Sequence, residues 1–232
     1  MSAETSLIFV DGENLVLRYQ EMVAAGRIPL PDTIHIKDCF VWNQRVLNDS
    51  IWNLKRVSYY TSAIGDDQYV REVRSKISET TFKCNTGHVG SGAGVHLTTR
   101  TGQIVPFVRK KSARSRKESI CDIAIAVDVM RTCYRDHVTT IWLFSGDGDF
   151  SLLLSEVIHS GKSVYVSAFS SGLSDEIPFS VDEFILLDKF FFEPLPPDQE
   201  NSSSPPTPGD TDALSVNPDL AQKAREAGYL KR

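Results

Sequence analysis

Only four cysteines occur in 232 residues, and no two form a Cys-x-x-Cys pair. That pattern matches neither the usual zinc-ligand spacing nor a dense disulfide framework. The expectation is reduced thiols in a cytoplasmic protein. No stretch approaches the roughly 18 apolar residues of a membrane span, so no membrane partner is expected. The N-terminus has no basic segment followed by a long apolar one, the form of a secretory signal. His35, His88, His96, His137 and His159 show no metal-ligand spacing. There is no Ser-His-Asp order, P-loop or dinucleotide-binding glycine fingerprint. Gly90-Ser91-Gly92-Ala93-Gly94 has the composition of a phosphate loop but not its strand-before, helix-after setting.

Basic charge is scarce overall and concentrated locally. The formal net charge is −5, yet residues 109–117 hold six of the 25 basic side chains and no acid. Arg109, Lys110, Lys111, Arg114, Arg116 and Lys117 form a run that either solvates a surface loop or attracts a polyanion.

Strand-like runs stand at 7–10, 54–61, 104–108, 138–144 and 162–169. Helical periodicity separates them. In 118–134 the apolar positions Ile120, Ile123, Ala124, Val127 and Met130 mark one face, and 66–80 and 149–159 are also helical. Alternating strands and helices predict an α/β fold with a mostly parallel central sheet and helices on both faces. The Gly-rich stretch 85–103 reads as a mobile loop or a hairpin outside the core. After Phe192 the composition changes: residues 193–210 hold six prolines, three consecutive serines and no aromatic. The expected organisation is a domain over 5–192 and a disordered tail over 193–232. A short helix is possible at 217–227, with Asn217 as N-cap and Pro218 at its first position.

Two acidic motifs follow apolar runs. Leu7-Ile8-Phe9-Val10 leads into Asp11-Gly12-Glu13-Asn14, and Ile141-Trp142-Leu143-Phe144 leads into Ser145-Gly146-Asp147-Gly148-Asp149-Phe150. Carboxyl ends of strands in open α/β sheets are where ligands bind. Carboxylates gathered there repel one another unless a cation or proton intervenes. Asp11 also suits a helix N-cap. Asp147 and Asp149 suit a tight turn, although two acids between glycines exceed what a cap needs. Asp122 falls in the first turn of the helix read over 118–134, where the macrodipole favours an acid. Asp128, six residues later, is off that face and suits a buried pair with an Arg or a helix end.

Taken together, Phe9-Val10-Asp11-Gly12-Glu13-Asn14, an Asp heading the middle helix, and Ser145-Gly146-Asp147-Gly148-Asp149-Phe150 resemble the NYN domain of the PIN-like nuclease superfamily. The resemblance covers roughly residues 5–190. It implies a three-layer α/β/α sandwich and Mg²⁺- or Mn²⁺-dependent cleavage of RNA. By matching motif, the metal-binding and catalytic set is Asp11, Asp122, Asp147 and Asp149, with Asn14 in support. One departure stands out: family members often carry Lys-Gly-x-Asp before the middle helix, where this chain has Ser119-Ile120-Cys121-Asp122. The function expected is a metal-dependent endoribonuclease acting on single-stranded RNA, whose backbone the 109–117 run would hold. The alternatives are a non-catalytic RNA-binding module, with its tail recruiting a protein partner or a second copy, and a DNA-cleaving relative.

Overall fold

The computed structural model describes residues 5–47, 53–89, 95–111, 120–135 and 137–195. The expected tail from 196 onward, its 217–227 helix, and Arg114, Arg116 and Lys117 lie outside the described residues.

The first strand, β1 (Ser6–Asp11), is buried along its whole length. Burial on both faces is what a near-continuous apolar run in a parallel sheet predicts. Its side chains alternate: Ile8 and Val10 enter one core, Leu7 and Phe9 the other. The first core lies under α1 (Gly12–Ala24) and α2 (Asp67–Glu79), and the second under α3 (Ile120–Cys133) and α4 (Ser151–His159). Two helical layers thus sandwich one sheet, as expected.

The sheet contains seven strands. Besides β1 these are β4 (Leu54–Ala63), β5 (Thr81–Val89), β6 (Val95–Lys110), β7 (Thr140–Phe144), β8 (Ser163–Ala168) and β9 (Glu183–Leu186). Their spatial order is β5-β6-β4-β1-β7-β8-β9. Every pairing is parallel except β5 with β6. From β1 the chain builds outward through β4 to β6, then returns through α3 to β7 on the other side of β1. The winding therefore reverses between β1 and β7, and such a switch point leaves a crevice at the carboxyl ends of the two strands.

The Gly-rich stretch resolves in favour of the hairpin: β5 and β6 pair antiparallel from Thr81↔Gln103 to Val89↔Val95. The strand expected at 104–108 is the end of the 16-residue β6. A separate ribbon, β2 (Ile34–Ile36) with β3 (Phe40–Trp42), packs Phe40, Val41 and Trp42 into the α1–α2 core. A short helix, α5 (Asp188–Phe191), seats Phe191 and Phe192 in that core against Tyr19, with ring centroids 6.3 and 5.3 Å away. All four cysteines are buried free thiols. Among the described residues no helix is long and apolar enough to cross a membrane.

Candidate active site

Alternation along β1 puts Asp11 on the α3–α4 side, with Leu7 and Phe9, at the end of the central strand. The same parity along β7 carries Ser145, just beyond Phe144, to that side. The two meet: the Ser145 hydroxyl donates to Asp11 Oδ2 at 2.9 Å. The Asn14 N–H donates to Asp11 Oδ1 at 3.1 Å, so Asp11 caps α1 as well as facing the crevice. Gly12 allows α1 to begin this close to the sheet, since a Cβ there would collide with the Tyr59 ring and the Tyr60 carbonyl.

The second motif is tied to the first. The Gly146 N–H donates to Asn14 Oδ1 at 3.3 Å, and the Asp147 N–H donates to Ser145 Oγ at 3.2 Å. Asp147 Oδ1 accepts from the Asp149 N–H at 3.0 Å, capping the single 3₁₀ turn Gly148–Phe150. Capping and site geometry thus coexist at both motifs. Asp147 is half-buried at the mouth of the crevice, and Asp149 is exposed.

Asp122 joins from the first turn of α3. Burial raises its carboxyl above the usual range, and the charges of Glu13, Asp147 and Asp149 raise it further, while Lys111 opposes them. Asp11, only 2% exposed, is pushed up to about 7, chiefly by burial, with smaller contributions from Asp122 and Glu13. Asp122 thus feels the charges of Glu13, Asp147 and Asp149, and Asp11 feels those of Asp122 and Glu13, while Asn14 bridges the two motifs. Asp128 is elsewhere: it accepts from the Tyr60 hydroxyl at 2.9 Å and pairs with Arg131 at 3.3 Å, so it has the Arg partner expected for it, but the pair is open to solvent rather than buried.

Three participants escaped the sequence reading. Glu13, in the first turn of α1, accepts from the Ser62 hydroxyl and pairs with Lys111 Nζ at 3.5 Å. Its position reads as an ordinary complement to the helix dipole. The only hint of more was its place two residues after Asp11. Ser62 marks the end of β4 and Ser145 the end of β7, and nothing in a lone serine announces a bridge.

Of the basic run, Lys111 reaches Glu13, Lys110 pairs with Asp67 of α2 at 2.7 Å, and Arg109 is exposed on β6. The Lys110 pair is solvent-exposed and so energetically slight, leaving that ammonium exchangeable.

The donor chemistry fits a hard divalent cation. The crevice offers carboxylate oxygens from α1, α3 and the β7 turn, and Asp11 is a buried carboxyl whose hydrogen-bond partners are a neutral amide and a hydroxyl. Among the described residues no three His, Cys, Asp or Glu side chains cage an ion by themselves. Mg²⁺ is commonly held by one or two carboxylates, with water and substrate phosphates completing its shell.

Comparison with known proteins agrees with the motifs. The family model for the NYN domain matches residues 5–188. Curated proteins give no match. Among solved structures, a protein of unknown function from Vibrio parahaemolyticus RIMD 2210633 is 17% identical, with 83% of this chain and 98% of that chain covered and a TM-score of 0.42. That likeness is too distant to carry an argument. The family match spans the sheet, α1 to α4 and both acidic motifs, and the chain belongs to the NYN domain family, with its PIN-like nuclease fold.

Proposed function

We propose that the protein is a metal-dependent endoribonuclease that hydrolyses phosphodiester bonds of single-stranded RNA at this crevice. The observation that carries the reading is Asp11: a carboxylate buried at the switch point of the sheet, with Asp122 and Glu13 close enough to oppose its ionisation. Holding like charges together in this way costs stability unless a cation is the intended occupant.

Asp11, Asp122, Asp147 and Asp149 are the residues that would hold Mg²⁺ or Mn²⁺. When bound, the ion supplies charge neutralisation at the scissile phosphate and acidifies a water for in-line attack. The protein does the positioning. Ser145 and the Asn14 amide hold Asp11 in one rotamer. Asn14 fixes the Gly146 backbone, and with it the Asp147 turn. Lys111 offsets the charge of Glu13 and Asp122 at the edge of the site. Arg109, Lys110 and Lys111 would contact RNA phosphates, together with Arg114, Arg116 and Lys117. Such contacts position a strand without reading its sequence.

Labelled single-stranded RNA and DNA, incubated with purified protein in Mg²⁺, Mn²⁺ or EDTA, test the reading. Metal-dependent cleavage of RNA, lost in Asp147→Asn, is expected. Binding without cleavage in either metal would favour the non-catalytic alternative, and cleavage of DNA alone the DNA-cleaving one.

A further inference from the structure

On the face of the sheet beside the acidic crevice, a row of rings runs outward to a half-open end. Phe9 of β1, Tyr60 of β4 and Phe107 of β6 follow one another across three strands. Phe9 and Tyr60 lie with centroids 6.5 Å apart, and Tyr60 and Phe107 stack nearly parallel at 4.5 Å and 5°. Phe9 and Tyr60 are buried, but Phe107 is 39% exposed. Its exposure follows from topology. Helix α3 packs over β1 and β4, and β5 pairs with β6 only as far as Gln103. From Val105 onward β6 has no outer strand beside it among the described residues, and α2 packs against its opposite face, where Val108 joins the α1–α2 core, leaving the Phe107 face uncovered.

Between α3 and β6 lies a cleft of about 230 Å³, lined by Tyr60, Arg74, Phe107, Arg109, Cys121 and Ala124. Its position relative to the acids is fixed. Asp11 pairs with Tyr60 in the β1–β4 register, and Tyr60 pairs with Phe107 in the β4–β6 register. Two strand spacings, about 9–10 Å, therefore separate the backbones at Asp11 and Phe107. Cys121, in the cleft wall, precedes Asp122. The rim is cationic: Arg109 is exposed, and Arg74 is fixed by donating to the Val108 carbonyl at 3.0 Å.

A flat ring half open to solvent, flanked by guanidinium groups and adjoining an acidic crevice, matches one kind of occupant. Single-stranded nucleic acids are bound by stacking unpaired bases on aromatic rings while arginines meet the phosphates. An acidic protein partner would meet the Arg rim but would have no use for a parallel-stacked open ring. We propose that Phe107, backed by Tyr60, is a nucleobase-stacking platform that seats the base of a nucleotide next to the scissile bond, with Arg109 on the adjoining phosphate. The proposal rests on the nuclease reading above and deepens it. Phe107 becomes a positioning residue that sets where along the strand a phosphate reaches the acids.

The test is equilibrium binding of fluorescein-labelled oligouridylate, and of an all-abasic ribose-phosphate chain of the same length, to the full chain in EDTA over a range of salt. Phe107→Ala is expected to weaken oligouridylate binding about 5- to 150-fold, the loss that corresponds to ~1–3 kcal/mol per stacked base. It should leave abasic binding and the salt slope unchanged. Phe107→Trp should bind as wild type or tighter, which separates loss of stacking from loss of fold. Arg109→Ala should lower the salt slope by about 0.7, because it removes a phosphate contact. Equal preference for oligouridylate over the abasic chain in wild type and Phe107→Ala overturns the platform alone, since RNA binding itself persists. Absence of binding to either chain by wild type at any salt overturns the nuclease reading and the platform with it.

Discussion

At the scale of single residues the decisive group is Asp11. Burial lifts its pKa in the folded state to about 7, well above the ordinary carboxylate value of 3.8. The folded state therefore binds the extra proton, and the associated stability is fully present below about pH 4 and lost as pH rises through about 7. In EDTA, wild type should melt at progressively lower temperature between pH 5 and pH 8. The loss should be on the order of a few kcal/mol, since each pKa unit corresponds to about 1.4 kcal/mol. Asp11→Asn should flatten that dependence and abolish cleavage, while wild type with Mn²⁺ should regain stability at pH 8. A melting temperature that rises across this range in EDTA would argue against the buried, unpaired carboxyl. Gly12 makes a separate prediction. Gly12→Ala should cost about 1–3 kcal/mol, the usual cost of overpacking, or somewhat more, because the added methyl meets the Tyr59 ring and the Tyr60 carbonyl. Urea titration measures it, and an unchanged midpoint would mean that α1 has room to shift.

At the scale of elements, legibility followed pattern strength. The strands ending at Asp11 and Phe144 were plain in the sequence because apolar runs buried on both faces stop abruptly at acids. Helix α3 was legible as a helix but its buried face was not: Ile123 and Val127 of the expected apolar face are exposed, and Cys121, Ile125 and Val129 pack into the core instead. The ribbon of β2 and β3, three residues each, and the four-residue β9 were too short to show any period. β5 escaped because its alternation runs into a Gly-rich stretch; among its described side chains, Phe82 and Cys84 point inward to the core. Asp128 shows what periodicity can decide, since six residues from Asp122 on a helix turns it away from the crevice and toward Tyr60. Asp128→Asn should therefore weaken the Tyr60 and Arg131 contacts at a cost of about 0.5–1.5 kcal/mol. Single-turnover cleavage at saturating RNA should be retained. A loss of cleavage as complete as in Asp147→Asn would place Asp128 in the site after all.

At the scale of the whole molecule, the fold makes one crevice from parts far apart in sequence. The order β6-β4-β1-β7-β8 brings residue 11 beside residue 145, and α3 returns over them with Asp122. The acids at strand ends were legible because each is announced by its own strand. Glu13, Ser62, Ser145 and the reach of Lys111 were not, because their roles arise only when separate strand ends meet. The same assembly gives the sharpest test of the central claim, that this crevice is built for a divalent cation. Mn²⁺ should be titrated calorimetrically into wild type and Asp11→Asn at pH 6 and pH 8, in buffers of different ionisation enthalpy. Metal sites release protons when a ligand must deprotonate. The account predicts saturable Mn²⁺ binding to wild type, with proton release at pH 6 that is largely gone at pH 8, and strongly weakened binding in Asp11→Asn. Mn²⁺ binding of equal strength in both proteins, or none in wild type, would contradict it.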